Sequence, residues 1–125
     1  MDEETLKMQE ELLSEWKNRL GLQDWAIKLV GCCAPDEIGY DDCVGHTDWT
    51  ETSKAAKIWI LDPKYYGQRI RPFDWEKTLV HELLHLKMCL LATDVPDLQE
   101  RVAHILIDDL ARAFVDAKRN RNNEV

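Results

Sequence analysis

Apolar positions recur between Thr5 and Leu20, where Leu6, Leu13, Trp16 and Leu20, with the polar Gln9 in the same row, line up at spacings of three and four with Leu12 beside them. That period predicts a helix with one buried face, and Gly21 stands where a left-handed stop is expected. Acidic residues open the segment and Lys17 and Arg19 close it, as the helix dipole favours. Trp25 to Val30 then predicts a strand, with Trp25, Ile27 and Leu29 on one face. From 31 to 45 the pattern breaks: Gly31, Pro35, Gly39 and Gly45 interrupt it and Asp36, Glu37, Asp41 and Asp42 make it acidic, so this stretch is expected to be the least regular. His46 to Thr52 is β-prone but polar, and Ser53-Lys54 turns the chain into an apolar strand, Ala56 to Leu61, which Asp62-Pro63 ends. A polar connector carrying Tyr65, Tyr66 and Gly67 follows.

The helical period returns from Trp75 to about Leu91, with Asp74 as N-cap and a buried ridge of Leu79, Leu83, Leu86 and Leu90. Thr93 to Pro96 break it. A last helix is expected from Asp97 to Lys118, packing through Leu98, Val102, Ile105, Leu106, Leu110 and Phe114, with the tail from Arg119 to Asn123 frayed. Core packing is the expected role of Trp16, Trp25, Trp49, Trp59 and Trp75. The elements predict one α+β domain spanning 1–125: an N-terminal helix, a small mixed sheet, a central helix and a C-terminal helix. The pattern sets no strand order.

Composition narrows the partners. The chain has 125 residues, enough for one core, and 16 Lys+Arg against 24 Asp+Glu leave a net charge of -8. Nucleic acid is therefore not expected, because a phosphate backbone demands a basic face. No apolar run reaches the ~20 residues that cross a bilayer, and the first residues lack the features of a secretory signal. A cytoplasmic protein without membrane contact is the expectation, with Cys32, Cys33, Cys43 and Cys89 as thiols. Oligomeric state is not legible.

Within the central helix lies Thr78-Leu79-Val80-His81-Glu82-Leu83-Leu84-His85-Leu86, containing the HExxH pattern. Four residues advance a helix by about 400° and ~6 Å, so His81 and His85 share a face one turn apart. Two imidazoles so placed can meet one zinc ion, and Glu82 flanks them, where its carboxylate can take a proton from a water on the metal. A catalytic zinc needs a third protein ligand. Asp94, Asp97, Glu100 and His104 are candidates, and Glu100, His104 and Asp108 form a row of period four in the last helix. Glu100 is the expected ligand and His104 the alternative; whichever does not bind metal is expected behind the ligands or near the substrate.

Together, Thr-Leu-Val-His-Glu-Leu-Leu-His and the later Glu-Arg-Val-Ala-His-Ile-Leu resemble the gluzincin branch of zinc metallopeptidases, and more narrowly its minimal members encoded by bacteria and their phages. The resemblance covers the last two helices and, more loosely, the strand around Ile58-Trp59-Ile60; residues 31–55 match nothing in it. It implies a zincin-like fold, one catalytic zinc held by His81, His85 and Glu100, and Glu82 as general base and proton donor. It also implies an edge strand, Lys57, Ile58, Trp59, Ile60 and Leu61, pairing with an extended peptide or protein substrate. Two positions depart from the pattern: Lys87 is usually apolar there, and His104 stands where larger relatives carry an aspartate. The oxyanion needs a further donor, for which Tyr65, Tyr66, His46 and His104 are chemically able, the tyrosines being preferred. The expected function is a zinc metallopeptidase. The alternatives are a zinc hydrolase of a non-peptide substrate and a non-proteolytic zinc-binding interaction protein on the same scaffold.

Overall fold

The computed structural model describes residues 2–39, 43–89 and 97–122, with the side chains of 97–100 and 122 outside the description. Helix α1 spans Glu3–Leu20; Asp2 caps it by accepting from the Thr5 amide at 2.7 Å, and Gly21 ends it at φ 69°. Its buried face is Gln9, Leu13 and Trp16, whereas Leu6, expected in the stripe, is exposed. Strand β1 runs Ala26–Cys33, passing through Gly31 rather than stopping before it. A Cβ at Gly31 would lie 2.0 Å from Gln9 Oε1, so the glycine lets α1 close onto the strand. The Gly31 carbonyl is satisfied there: Gln9 Nε2 donates to it at 3.3 Å and Trp75 Nε1 at 2.8 Å. Pro35–Ile38 form a one-turn helix, α2, inside the stretch expected to be irregular, and Ile38 packs on Cys33 and Leu61.

Strands β2 (Gly45–Thr50) and β3 (Ala55–Leu61) complete a mixed three-stranded sheet of order β1-β3-β2, with β1 parallel and β2 antiparallel to β3. The expected edge strand, Lys57 to Leu61, is thus the central one and pairs on both sides. The physical reason lies in composition. Ile58, Ile60 and Leu61 are buried and suit a strand covered by neighbours, while the polar β2 tolerates the exposed edge.

Helix α3 spans Trp75–Met88, capped by Asp74, which accepts from the Lys77 amide. Leu79, Val80, Leu83 and Leu86 merge with Ile58, Ile60, Leu13 and Trp16 into the main core. The expected ridge position Leu90, the expected break at 93–96 and the candidate ligand Asp94 lie outside the described residues. Helix α4, Asp97–Asn122, packs on α3 through Ile107, Ala111 and Val115. The ridge expected from the sequence faces out instead: Val102, Ile105, Leu106, Leu110 and Phe114 are 39–60% exposed. The face chosen brings His104 and Asp108 toward α3, at the rim of the packed surface, with a small residue, Ala111, buried beside them.

The C-terminal end of α4 is tied rather than frayed. Arg119 forks onto Asp74 at 2.7 and 3.1 Å and reaches Glu76 at 3.1 Å, while Lys118 bridges Glu76 and Glu15. Trp16 Nε1 donates to Glu76 at 2.7 Å, closing a network that joins α1, α3 and α4. Trp16 and Trp25 are core residues as expected; Trp49 is exposed. No helix among the described residues is long and apolar enough to cross a membrane.

Candidate metal centre

Helical geometry sets the first two donors. His81 and His85 project from α3 one turn apart, with ring centroids 5.1 Å from each other. Helix α4 supplies a third, exposed ring, His104, whose centroid lies 4.8 Å from that of His85 and 6.1 Å from that of His81. One nitrogen from each of the three lies within 4.8 Å of the others. Tetrahedral ligation with bonds of ~2.1 Å requires nitrogens about 3.4 Å apart, a difference within reach of ring rotation. The donor set therefore fits a divalent metal ion. Of the two expected third ligands, the structure brings His104 to the pair; Glu100 lies one turn earlier in α4 and its side chain is outside the described residues.

Behind His81, Asp108 Oδ1 approaches Nδ1 at 3.5 Å, and Arg112 holds the other Asp108 oxygen at 2.6 Å. That arrangement leaves His81 Nε2 as the inward atom, and a carboxylate behind a ligating ring fixes its orientation and raises its basicity. Burial lowers the pKa of His81 despite the Asp108 charge. Burial, reinforced by the neighbouring His81, His104 and His46, brings His85 down to about 4. Both shifts favour the neutral ring, the form that binds metal.

Glu82 lies between the histidines and the sheet. It is 5% exposed, and burial pushes its carboxyl up to about 7, against the opposing pull of the Thr47 hydroxyl, which donates to Oε1 at 2.7 Å. Its second oxygen, Oε2, lies 3.9 Å from His81 Nε2. A carboxyl with a pKa near neutrality and one oxygen beside the histidines has the properties of a general base.

The centre opens into a cleft of about 930 Å³ bounded by β2, residues 66–74, α3 and α4. Strand β2, one edge of the sheet, runs along it. Tyr66 borders the cleft, but its hydroxyl donates to the Arg71 carbonyl at 2.6 Å and its ring packs edge-on against Phe73. Tyr65 is not brought to the cleft; it is exposed beneath the Lys64 ammonium. His46 also borders the cleft, with Nε2 2.9 Å from Asp48 and its ring against Trp59. Sequence reasoning misses Gly45, Thr47 and Arg112. For the first two the available signal is alternation: Gly45, Thr47 and Trp49 share one side of β2, because residues two apart in a strand do so.

Comparison of the chain with protein-family models, with curated proteins and with solved structures found no match.

Proposed function

We propose that this protein is a zinc-dependent peptidase of the zincin type, with His81, His85 and His104 as metal ligands and Glu82 as general base. The observation that carries the reading is the convergence of three imidazoles and a buried carboxylate in one cleft flanked by a sheet edge. This ligand set differs from the gluzincin pattern in one member, a histidine replacing the expected Glu100. Zinc, when bound, supplies a Lewis acid that polarises the scissile carbonyl and lowers the pKa of water.

The chain's own groups do the rest. Edge strand β2 replaces β3 as the surface for an extended substrate, whose main chain can complete the unpaired side of the ladder. Glu82 Oε2 accepts the proton of the attacking water and later delivers it to the leaving amine. Asp108, held by Arg112, keeps His81 in the tautomer that presents Nε2. Thiols at all four cysteines suit a reducing compartment, so we place the protein in the cytoplasm; burial pushes the Cys33 thiol up to about 11, which leaves it unreactive.

The test is a peptide-library digestion by the zinc-loaded protein and its Glu82→Gln variant. Wild-type cleavage with turnover abolished in the variant, at undiminished zinc content, is expected. Full cleavage by Glu82→Gln refutes the assignment of the base, and metal-dependent stability without cleavage of any peptide favours a binding protein on this scaffold.

A further inference from the structure

Glu82 is a buried carboxylate whose two oxygens have different surroundings. Oε1 receives the Thr47 hydroxyl at 2.7 Å, and Thr47 is itself buried. Oε2 lies toward His81 and against Gly45: a Cβ built on Gly45 would come 2.9 Å from Oε2, 3.1 Å from Thr78 Cγ2 and 3.2 Å from the carboxyl carbon. Thr47 and Gly45 are two residues apart on the edge strand, so the same face of β2 supplies both contacts.

We propose that Thr47 is a positioning residue for the general base, tying up one carboxylate oxygen so that the other faces the metal ligands, and that Gly45 leaves the room this orientation needs. The inference rests on the peptidase reading for its catalytic meaning, while the placement of the carboxylate stands on the contacts alone. A glutamate side chain has three rotatable bonds, and without an anchor its terminal carboxylate samples rotations that take Oε2 away from the histidines. Donation from Thr47 removes that freedom before substrate arrives, which is the condition for efficient proton transfer. The anchor belongs to the strand on which substrate would pair, so the element that aligns the peptide also aligns the base.

Two substitutions separate this role from ordinary packing. Thr47→Val keeps the shape and removes the hydroxyl; Thr47→Ser keeps the hydroxyl and removes a methyl. A third, Gly45→Ala, brings a methyl against the Glu82 carboxylate and the Thr78 Cγ2, both side-chain atoms, so side chains rather than the strand give way. Crystal structures of the three variants, zinc content, and kcat and KM on a cleaved peptide are the measurements. In Thr47→Val and Gly45→Ala the Glu82 carboxylate is expected to leave its wild-type position, with kcat down about tenfold or more, KM within about twofold and zinc content unchanged; Thr47→Ser restores both position and kcat. A Thr47→Val protein with Glu82 in place and wild-type kcat overturns the proposal. If the wild-type protein cleaves no peptide, the peptidase reading fails. The position of Glu82 in the Thr47→Val and Thr47→Ser crystals then still decides whether Thr47 holds it.

Discussion

Removing Glu76 tests how the two histidine-bearing helices are held together. The residue is 7% exposed and its carboxylate accepts from Trp16 Nε1, Lys118 and Arg119, so one side chain links α1, α3 and the end of α4. Glu76→Ala leaves the buried Trp16 N–H without its acceptor, at about 1–3 kcal/mol, and removes charge-assisted bonds to two cations. Those cations are not stranded, because Lys118 keeps Glu15 at 2.9 Å and Arg119 keeps its fork on Asp74. The loss should therefore fall near the lower end of the ~3–5 kcal/mol typical of a broken buried pair. For a domain of this size that is a drop in Tm of roughly 10 °C or more. Urea unfolding followed by tryptophan fluorescence, on wild type, Glu76→Ala and Glu76→Gln, measures it. The Gln variant can still accept from Trp16 and is expected to lose less than Ala. A loss under ~1 kcal/mol for Glu76→Ala would mean that the network is solvated and does not clamp α4, and the reasoning would fail.

The same cluster sets an acid dependence. Burial raises Glu76 and Asp74, but hydrogen bonds from Lys118 and Trp16 on the first, and from Arg119 and the Lys77 amide on the second, hold both below the usual carboxylate range. Their contribution is present above the unfolded values of about 4 and is lost as pH falls through the lower folded ones, so the urea midpoint should drop as pH falls below about 4, and less steeply in Glu76→Gln. Gly31→Ala should destabilise the protein by forcing Gln9 out, and thermal unfolding should show partial rescue in the double variant Gly31→Ala/Gln9→Ala; equal loss in both would refute the close-approach argument. On α4, Leu106→Glu should change stability by no more than about 0.5 kcal/mol, whereas Ile107→Ala should cost about 2–5 kcal/mol; the reverse order in chemical denaturation would mean that the helix packs by its other face.

What the sequence made legible and what it hid follow from the range of the forces involved. Helices α1 and α3 announce themselves through local period and caps, and so does the pairing of His81 with His85, which is one helical turn. Strand order is not local: the family resemblance implies β3 at the edge, and only the pairing with β1 and β2 shows that it is central. The apolar residues of α4 spread over a broad arc, so periodicity alone favours the Leu106–Leu110–Phe114 part of it, and only packing against α3 selects Ile107, Ala111 and Val115. That rotation decides the chemistry, because it carries His104 to the histidine pair. Arg119 and Lys118, expected at or beside a fraying tail, have partners 42 to 103 residues away that no window on the sequence reaches. Thr47 is hidden for the same reason: its partner, Glu82, is 35 residues distant.

The most direct test is zinc affinity, measured by competition with a chromophoric chelator, for the wild-type protein, His104→Ala and Glu100→Ala. One zinc per wild-type chain is predicted, with affinity falling more than about a hundredfold in His104→Ala, beyond the ~10–100-fold typical of groups behind the ligands, and little changed in Glu100→Ala. A wild-type chain that binds no zinc, or a His104→Ala chain that holds it as tightly as wild type, would contradict the three-histidine centre.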